Sequence, residues 1–332
     1  MSPTHREVVV ITGASAGVGR ATARAFAREG ARIGLLARGR EGLEAARRDV
    51  EALGGEALVL PTDVADAAQV EAAAQAVEDA FGPIDVWVNN AMTSVFAEFL
   101  DIEPEEFERV TAVCYHGQVN GTRAALKRML PRDRGVIVLV GSALAYRGIP
   151  LQSAYCGAKH AVEGLFDSVR SELLHHRSGV HITMVQLPAM DTPQFNWVRS
   201  RLPRKAQPVP PIYPPEVAAD AVVFAARSRR REVFVGASSA KAIWGNKLAP
   251  QIADRYLARS GYESQMRDEP EIPNRPDNLF SPLPGDHGAR GVFGDRTRSG
   301  RAELWASKHR NWLLAGAAFV GTLATMLSNG RS

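Results

Sequence analysis

Cysteine, lysine and long apolar runs are all scarce in this chain of 332 residues. The two cysteines, Cys114 and Cys156, are too few for a disulfide framework and favour a reducing compartment. The polar N-terminus lacks the charged, then apolar, then small-residue order of a secretory signal, so we expect a cytoplasmic protein. Of the 40 Lys and Arg residues only six are lysine, so a lysine with a chemical role is easy to find.

Net charge is low as well. The 40 basic and 36 acidic residues leave +4, which argues against a nucleic-acid-binding protein. Residues 296–332 contain six Lys or Arg and one Glu, so the excess positive charge lies at the C-terminus and the rest of the chain is nearly neutral. Hydrophobic residues at 45% and charged residues at 23% are ordinary for a globular protein.

Two patterns alternate through the first 190 residues. Short β-branched or apolar runs are separated by longer Ala-, Arg- and Glu-rich stretches with helical spacing. We therefore expect an α/β fold, a doubly wound parallel sheet of the Rossmann-like kind with a C-terminal extension. The predicted strands cover 8–11, 33–36, 57–60, 84–88, 136–140 and 180–187. The predicted helices cover 21–29, 41–53, 67–80, 105–129 and 155–176.

The pattern changes after residue 188. Eight prolines in residues 188–215 predict a long loop, with one helical turn near 195–198. A helix over 216–227, a strand over 232–235 and a helix from 238 to about 258 complete the first predicted domain, 1–260. Residues 261–311, rich in Pro, Gly, Asp, Asn and Arg, are predicted to be an extended arm or a disordered linker.

An uncharged apolar segment occupies residues 312–327. It is shorter than the roughly 20 residues that a membrane-spanning helix needs. Basic residues and two tryptophans, Trp305 and Trp312, lie before or at its start. We expect either a tail that dips into a membrane from the cytoplasmic side or a helix that docks on the body or on a partner subunit.

A glycine-rich turn, Thr12-Gly13-Ala14-Ser15-Ala16-Gly17-Val18-Gly19, joins the first predicted strand to the first helix. In that context glycines let the backbone approach a pyrophosphate, which the helix N-terminus attracts. The next strand ends at Ala37-Arg38, with Arg40 beyond it. An NAD enzyme typically has an acidic residue here, whereas arginine suits a 2′-phosphate, so we expect NADP rather than NAD.

Polar residues follow the third and fourth predicted strands. Asp63-Val64 follows the third, and its carboxylate could accept a hydrogen bond from an adenine amine or cap the next helix. Asn90-Ala91 follows the fourth. Because the carboxyl ends of parallel strands share one edge, we expect both pairs beside the same crevice.

The candidate catalytic residues are Ser142, Tyr155 and Lys159. Tyr155 and Lys159 are four residues apart and therefore share one helix face. A neighbouring ammonium stabilises a phenolate, which a free phenol forms only near pH 10. Ser142 follows a predicted strand and could orient a carbonyl oxygen.

Together these motifs resemble the single-domain branch of the short-chain dehydrogenase/reductase family, over roughly residues 6–240. The resemblance implies that Tyr155 is the acid/base, that Lys159 tunes it and holds the nicotinamide ribose, and that Ser142 positions the substrate oxygen. It also implies a homo-oligomer and a small-molecule carbonyl or alcohol substrate, and we expect no metal site. The implied cofactor-binding set is Gly13, Ser15, Ala16, Gly17, Val18, Gly19, Arg38, Asp63, Val64, Asn90, Ala91, Tyr155, Lys159, Pro188 and Thr192.

Three positions depart from the family pattern. Met92 and Ala189 each replace a glycine, and Cys114 stands where the family commonly has an asparagine that holds a relay water. A thiol is a weak hydrogen-bonding group, so we expect that the proton relay runs through another group, that turnover is slow, or that Cys114 only packs in the core.

The substrate is expected to be apolar, either lipid-like, steroid-like or aromatic. Seven apolar side chains lie in segments that border the site in such folds, although they could equally pack beneath a lid: Met92, Val95, Phe96, Phe99, Met190, Phe195 and Trp197. Two other functions stay open, an NADPH-binding regulatory protein without turnover and a membrane-recruited scaffold.

Overall fold

The computed structural model describes residues 6–309, and its centre is a seven-stranded parallel sheet. The sheet order is β3-β2-β1-β4-β5-β6-β7, so the chain winds outward in both directions from β1. The strands are β1 (Val8–Thr12), β2 (Arg32–Ala37), β3 (Glu56–Pro61), β4 (Val86–Asn89), β5 (Gly135–Ser142), β6 (Val180–Leu187) and β7 (Glu232–Phe234). The predicted fold class is confirmed.

Helices cover both faces of the sheet, as the buried, apolar strands require. They are α1 (Gly17–Ala27), α2 (Arg40–Ala52), α3 (Ala67–Phe81), α4 (Pro104–Thr111), α5 (Gly117–Met129), α6 (Ser153–His175), α7 (Pro215–Arg227), α8 (Ala237–Leu248), α9 (Pro250–Ser260) and α10 (Arg301–Lys308). One core cluster joins the sheet to α1, α2 and α7, and a second joins the other face to α3, α5 and α6.

Two predicted helices differ from the structure. The single helix expected from 238 to about 258 is wrong: α8 ends at Leu248 and α9 starts at Pro250. Proline lacks the N–H that a continuous helix uses and disfavours helical backbone in the preceding residue, and Ala249 is indeed non-helical, with φ −145° and ψ 64°. The helix expected over 105–129 is interrupted by one wide π turn, Ala112–His116, which contains Cys114.

The proline-rich segment after β6 folds over the carboxyl edge of the sheet. It contains a 3₁₀ turn, Pro193–Asn196, and two-residue strands that pair Ala189–Met190 with Ile212–Tyr213 and Arg199–Ser200 with Val95–Phe96. These contacts give a loop without long regular structure a fixed position above the sheet.

Residues 261–309 return across the same edge. Met266–Pro270 pairs antiparallel with Arg204–Ala206, and the side chains of Leu279 and Phe293 are buried. Finally α10 packs beside α7. Within residues 6–309 no helix is long and apolar enough to cross a membrane. The apolar segment predicted at 312–327 lies outside the described residues.

Candidate active site

One cavity of about 560 Å³ lies at the carboxyl edge of the sheet. It runs from the glycine turn before α1, past the ends of β2 and β3, to Ser142 at the end of β5. Except for Gly19, every residue of the predicted set lines it: Gly13, Ser15, Ala16, Gly17, Val18, Arg38, Asp63, Val64, Asn90, Ala91, Ser142, Tyr155, Lys159, Pro188 and Thr192. The fold therefore gathers residues that are up to 180 positions apart into one groove.

The glycine turn is shaped for a ligand that approaches the backbone closely. Gly13 and Gly17 have φ of +70° and +58°, a left-handed conformation that favours glycine. A Cβ on Gly13 would lie 2.9 Å from Ala91 Cα, and a Cβ on Gly19 would overlap the Gly13 carbonyl oxygen. This cradle at the N-terminus of α1 fits the pyrophosphate of a dinucleotide.

Gly19→Ala is expected to weaken nucleotide binding about tenfold or more and to lower the melting temperature. The new Cβ would overlap the Gly13 carbonyl oxygen, and backbone atoms cannot move aside without distorting the turn. Gly164→Ala in α6 is the matched control, since a Cβ there meets nothing within 4 Å. Fluorescence titration with NADPH and thermal melting of both variants measure the two effects. Equal affinities in the two variants would contradict this role for Gly19.

Thr12 and Asn90 hold the glycine turn in place. The Thr12 hydroxyl oxygen accepts hydrogen bonds from the backbone N–H groups of Asn90 and Ala91 at 2.8 and 3.0 Å and donates to the Val88 carbonyl oxygen. The Asn90 side-chain amide donates to the Thr12 carbonyl oxygen at 2.9 Å. The ends of β1 and β4 are thus tied together. Sequence analysis assigned Thr12 no role, although a buried hydroxyl immediately before the first glycine was the available signal.

Arg38 lines the cavity just after the end of β2, and it has hydrogen-bond partners within the chain. Its Nη1 donates to the carbonyl oxygens of Leu279 and Phe280 at 3.2 and 2.8 Å, and its Nη2 donates to that of Asn278. The C-terminal residues that accept these bonds are 240 or more positions away in the sequence. Sequence analysis did not anticipate them.

Asp63 also lines the cavity, and of its two predicted roles the helix cap is wrong. Asp66 caps α3 by accepting hydrogen bonds from the N–H groups of Ala68 and Gln69. The Asp63 carboxylate instead accepts from Arg109 Nη2 at 2.6 Å and from the Ala65 N–H. Arg109, which sequence analysis did not single out, is therefore a neighbour of the cavity wall at Asp63.

Ser142, Tyr155 and Lys159 meet at the other end of the groove. Tyr155 and Lys159 occupy adjacent turns of α6, and Lys159 Nζ lies 5.6 Å from the centroid of the Tyr155 ring. Buried Lys159 donates to the Val140 carbonyl oxygen at 2.7 Å, which fixes its ammonium beneath the phenol. Burial raises the pKa of the Tyr155 phenol, the neighbouring Cys114 adds to the rise, and a hydrogen bond with Ser142 opposes it. Burial lowers the pKa of Lys159.

Cys114 is fully buried and packs beside Tyr155. Its thiol donates to the Thr93 carbonyl oxygen at 3.1 Å and accepts from the Thr93 N–H at 3.4 Å. Burial raises the pKa of this thiol, so it stays protonated around neutral pH. The side chain is satisfied by local backbone and belongs to the packing beneath the site, the simpler of the two predicted roles.

The lining of the cavity is mostly apolar. Five of the seven predicted side chains line it: Met92, Phe96, Met190, Phe195 and Trp197. The other two predictions are wrong, because Val95 points into the core and Phe99 is 65% exposed outside the cavity. Strand alternation explains Val95, since neighbouring residues face opposite sides. Tyr256 and Leu257 of α9 also line the cavity and were not predicted.

The groove, its glycine turn and the Ser142, Tyr155 and Lys159 group define a nucleotide-dependent oxidoreductase of a known class. A family model described as short chain dehydrogenase matches residues 7–202, more than half of the chain. The chain belongs to the short-chain dehydrogenase/reductase family, and the predicted family membership is confirmed.

Particular relatives agree. "Uncharacterized oxidoreductase YxnA" of Bacillus subtilis (strain 168) is 36% identical over 284 residues, which are 85% of this chain and 80% of that protein. An alcohol dehydrogenase of the archaeon Thermococcus sibiricus, solved with 5-hydroxy-NADP, superposes with a TM-score of 0.61 at 28% identity over 69% of this chain and 95% of its own. A metagenomic short-chain oxidoreductase solved with NADP gives 0.58 at 30% identity, over 69% of this chain and 96% of its own.

Proposed function

We propose that the protein interconverts a carbonyl and an alcohol on an apolar substrate, with NADP(H) as cofactor and Tyr155 as acid/base. The observation that carries this proposal is the continuity of one cavity, which joins a dinucleotide cradle and Arg38 at one end to Ser142, Tyr155 and Lys159 at the other. The NADP-type ligands in two similar solved structures support the cofactor.

The chain's own residues would bind the cofactor, orient the substrate and protonate its carbonyl oxygen. The glycine turn and the N-terminus of α1 would hold the pyrophosphate, through N–H groups other than that of Gly17, which donates to the Gly288 carbonyl oxygen, and Arg38 would hold the 2′-phosphate. When bound, the reduced nicotinamide supplies a hydride to the carbonyl carbon. Because the pKa of Tyr155 is raised, its phenol is protonated around neutral pH and donates that proton to the carbonyl oxygen, which Ser142 orients.

The apolar lining supports the substrate class. Aromatic and thioether side chains surround the reacting end, so transfer of an apolar substrate from water is favourable there. The Tyr155 phenol and the Ser142 hydroxyl are polar groups of this lining that could recognise a carbonyl oxygen. We also retain the proposals of a homo-oligomer and of a membrane-associated tail beyond residue 311.

Steady-state oxidation of NADPH with a panel of ketones and aldehydes of increasing apolar surface tests the proposal. We expect turnover that improves with apolar surface and is small for short polar carbonyls. The proposal would be overturned if the protein binds NADPH but reduces none of the carbonyls and, with NADP, oxidises none of the matching alcohols.

Arg38→Asp is expected to shift the NADPH/NADH preference, measured as the ratio of kcat/KM values, by roughly a hundredfold toward NADH, because a carboxylate repels a 2′-phosphate. Arg47→Asp in α2, where the arginine is exposed and pairs with Glu44 and Glu51, controls for the change of charge. An unchanged ratio for the Arg38 variant would refute the assignment of Arg38.

A further inference from the structure

A C-terminal segment, residues 277–291, lines one part of the groove, and we call it the strap. It lies outside the stretch matched by the family model, residues 7–202. Five of its residues line the cavity: Asn278, Pro282, Leu283, Gly285 and His287. The strap is therefore a wall of the same cavity that the glycine turn and Arg38 line from the other side.

The strap is anchored to α1, α2 and the segment after β6. The Gly288 carbonyl oxygen accepts from the Gly17 N–H at 3.1 Å, and the Asp286 carboxylate pairs with Arg20, which is only 3% exposed. The Gly285 N–H donates to Glu41 in α2. The Gly291 N–H donates to the Asp191 carbonyl oxygen at 3.2 Å.

Arg38 and Arg109 add a second set of anchors. Arg38 donates to three consecutive strap carbonyls, at 278, 279 and 280, and Arg109 Nε donates to the Leu279 carbonyl oxygen at 3.2 Å. Within residues 6–309 these bonds leave the Nε of Arg38 without a partner. The strap thus fixes one edge of the guanidinium and leaves the Nε side to recognise a phosphate.

His287 lines the groove. Its ring packs edge-on against Trp197 with centroids 4.5 Å apart, and the following residue is the one bonded to Gly17. Its Nε2 is buried and has no hydrogen-bond partner within the described part of the chain. A buried polar atom costs free energy unless it is satisfied, so this nitrogen points to a polar ligand group in the cavity.

The strap borders the cavity and accepts hydrogen bonds from the Gly17 N–H and from both amino groups of Arg38. A cavity of about 560 Å³, lined by both Arg38 and Tyr155, remains beside it. We propose that the strap is a removable wall of the nucleotide site: it closes over bound NADP(H), positions Arg38 and offers His287 to the nucleotide, which is exchanged only when the strap lifts. This inference rests on the proposed function. It adds the strap residues to the nucleotide site and says what limits the rate of nucleotide exchange.

A reversible covalent lock tests the strap directly. A Cβ built on Gly39 lies 3.3 Å from the Cβ of Pro282, close to the Cβ–Cβ separation of a disulfide, and both native cysteines are buried. The double variant Gly39→Cys/Pro282→Cys of the full chain would be oxidised in the presence of NADPH or without it. Nucleotide retained through gel filtration, and its dissociation rate by displacement fluorescence, are then measured. The single variants under the same oxidant are the controls.

We expect the variant locked with NADPH present to retain the nucleotide and to release it roughly a hundredfold or more slowly than its reduced form, with a thiol reductant restoring the rate. When the variant is locked without nucleotide, NADPH should bind to it roughly a hundredfold more slowly than to its reduced form. The strap proposal would be overturned if the oxidised and reduced forms release nucleotide at equal rates, or if locking traps no nucleotide. The proposed function would still stand in that case, provided that the native chain binds NADPH. If the native chain binds no nicotinamide nucleotide, the proposed function fails first.

A second variant loosens the wall without new cysteines. Asp286→Asn removes the charge pair with Arg20, so NADPH should dissociate roughly tenfold faster, while the melting temperature stays close to that of the native chain. Asp268→Asn is the matched control, because that side chain is fully exposed in the strand Met266–Pro270. Equal dissociation rates for the two variants would count against the proposal.

Discussion

Tyr155→Phe is expected to lower turnover by about a thousandfold while the dissociation constant for NADPH stays nearly unchanged. The variant keeps the ring that packs beside Cys114 and Met92 and removes only the hydroxyl. Because that hydroxyl is the proton donor in the proposed reaction, its loss affects the transition state more than the binding of either reactant. Single-turnover kinetics and fluorescence titration separate the two quantities.

Tyr146→Phe provides the comparison for this experiment. Tyr146 follows the 3₁₀ turn after β5, and its hydroxyl donates to Glu232 at 2.6 Å, outside the cavity. Its loss should cost stability but little turnover. If Tyr155→Phe kept substantial activity, or lost NADPH binding along with activity, Tyr155 would not be the acid/base.

Lys159→Met should produce the second largest effect, a decrease in turnover of about a hundredfold at neutral pH. Methionine fills a similar volume in this buried position, so the change removes mainly the positive charge. Without that charge near the ring, the pKa of Tyr155 rises further above its already raised value. Lys127→Met in α5, where the lysine is half-exposed and pairs with Glu71, is the matched control.

The pH profile distinguishes this positioning effect from simple misfolding. Alcohol oxidation needs the phenolate, whose fraction grows tenfold for each pH unit below the pKa, so the oxidation rate should rise with pH. Carbonyl reduction needs the phenol, which the raised pKa keeps protonated, so the reduction rate should be flat around neutral pH. Lys159→Met should move the rising limb of oxidation to higher pH. If the rising limb of the oxidation profile stays at the same pH, Lys159 is not the group that tunes the pKa of Tyr155.

Much of the fold and one end of the site follow from local sequence. Continuous apolar runs such as residues 8–11 predict buried parallel strands. The glycine turn marks the start of α1. Tyr155 and Lys159 are recognisable because a helix brings residues four apart to one face. In each case the pattern and the structure it dictates lie within a few residues of each other.

The strap could not be predicted in the same way. Its contacts with Arg38 join residues more than 200 positions apart, and its composition of Pro, Gly and Asp carries no periodicity that would reveal a partner. Similarly, Pro250 signalled the break between α8 and α9 locally, whereas the π turn at Cys114 has no comparable marker in sequence. Tertiary hydrogen bonds of single backbone carbonyls leave little trace in amino-acid pattern.

The order of the chain gives the strap a further consequence during synthesis. The sheet, the glycine turn and Ser142, Tyr155 and Lys159 are all complete in the chain before residue 277 is made. Domains generally begin to fold from the N-terminus as they emerge. On the proposed function, a nascent chain would present an open groove in which NADP(H) can settle, and the strap, residues 277–291, would then close over a nucleotide already in place.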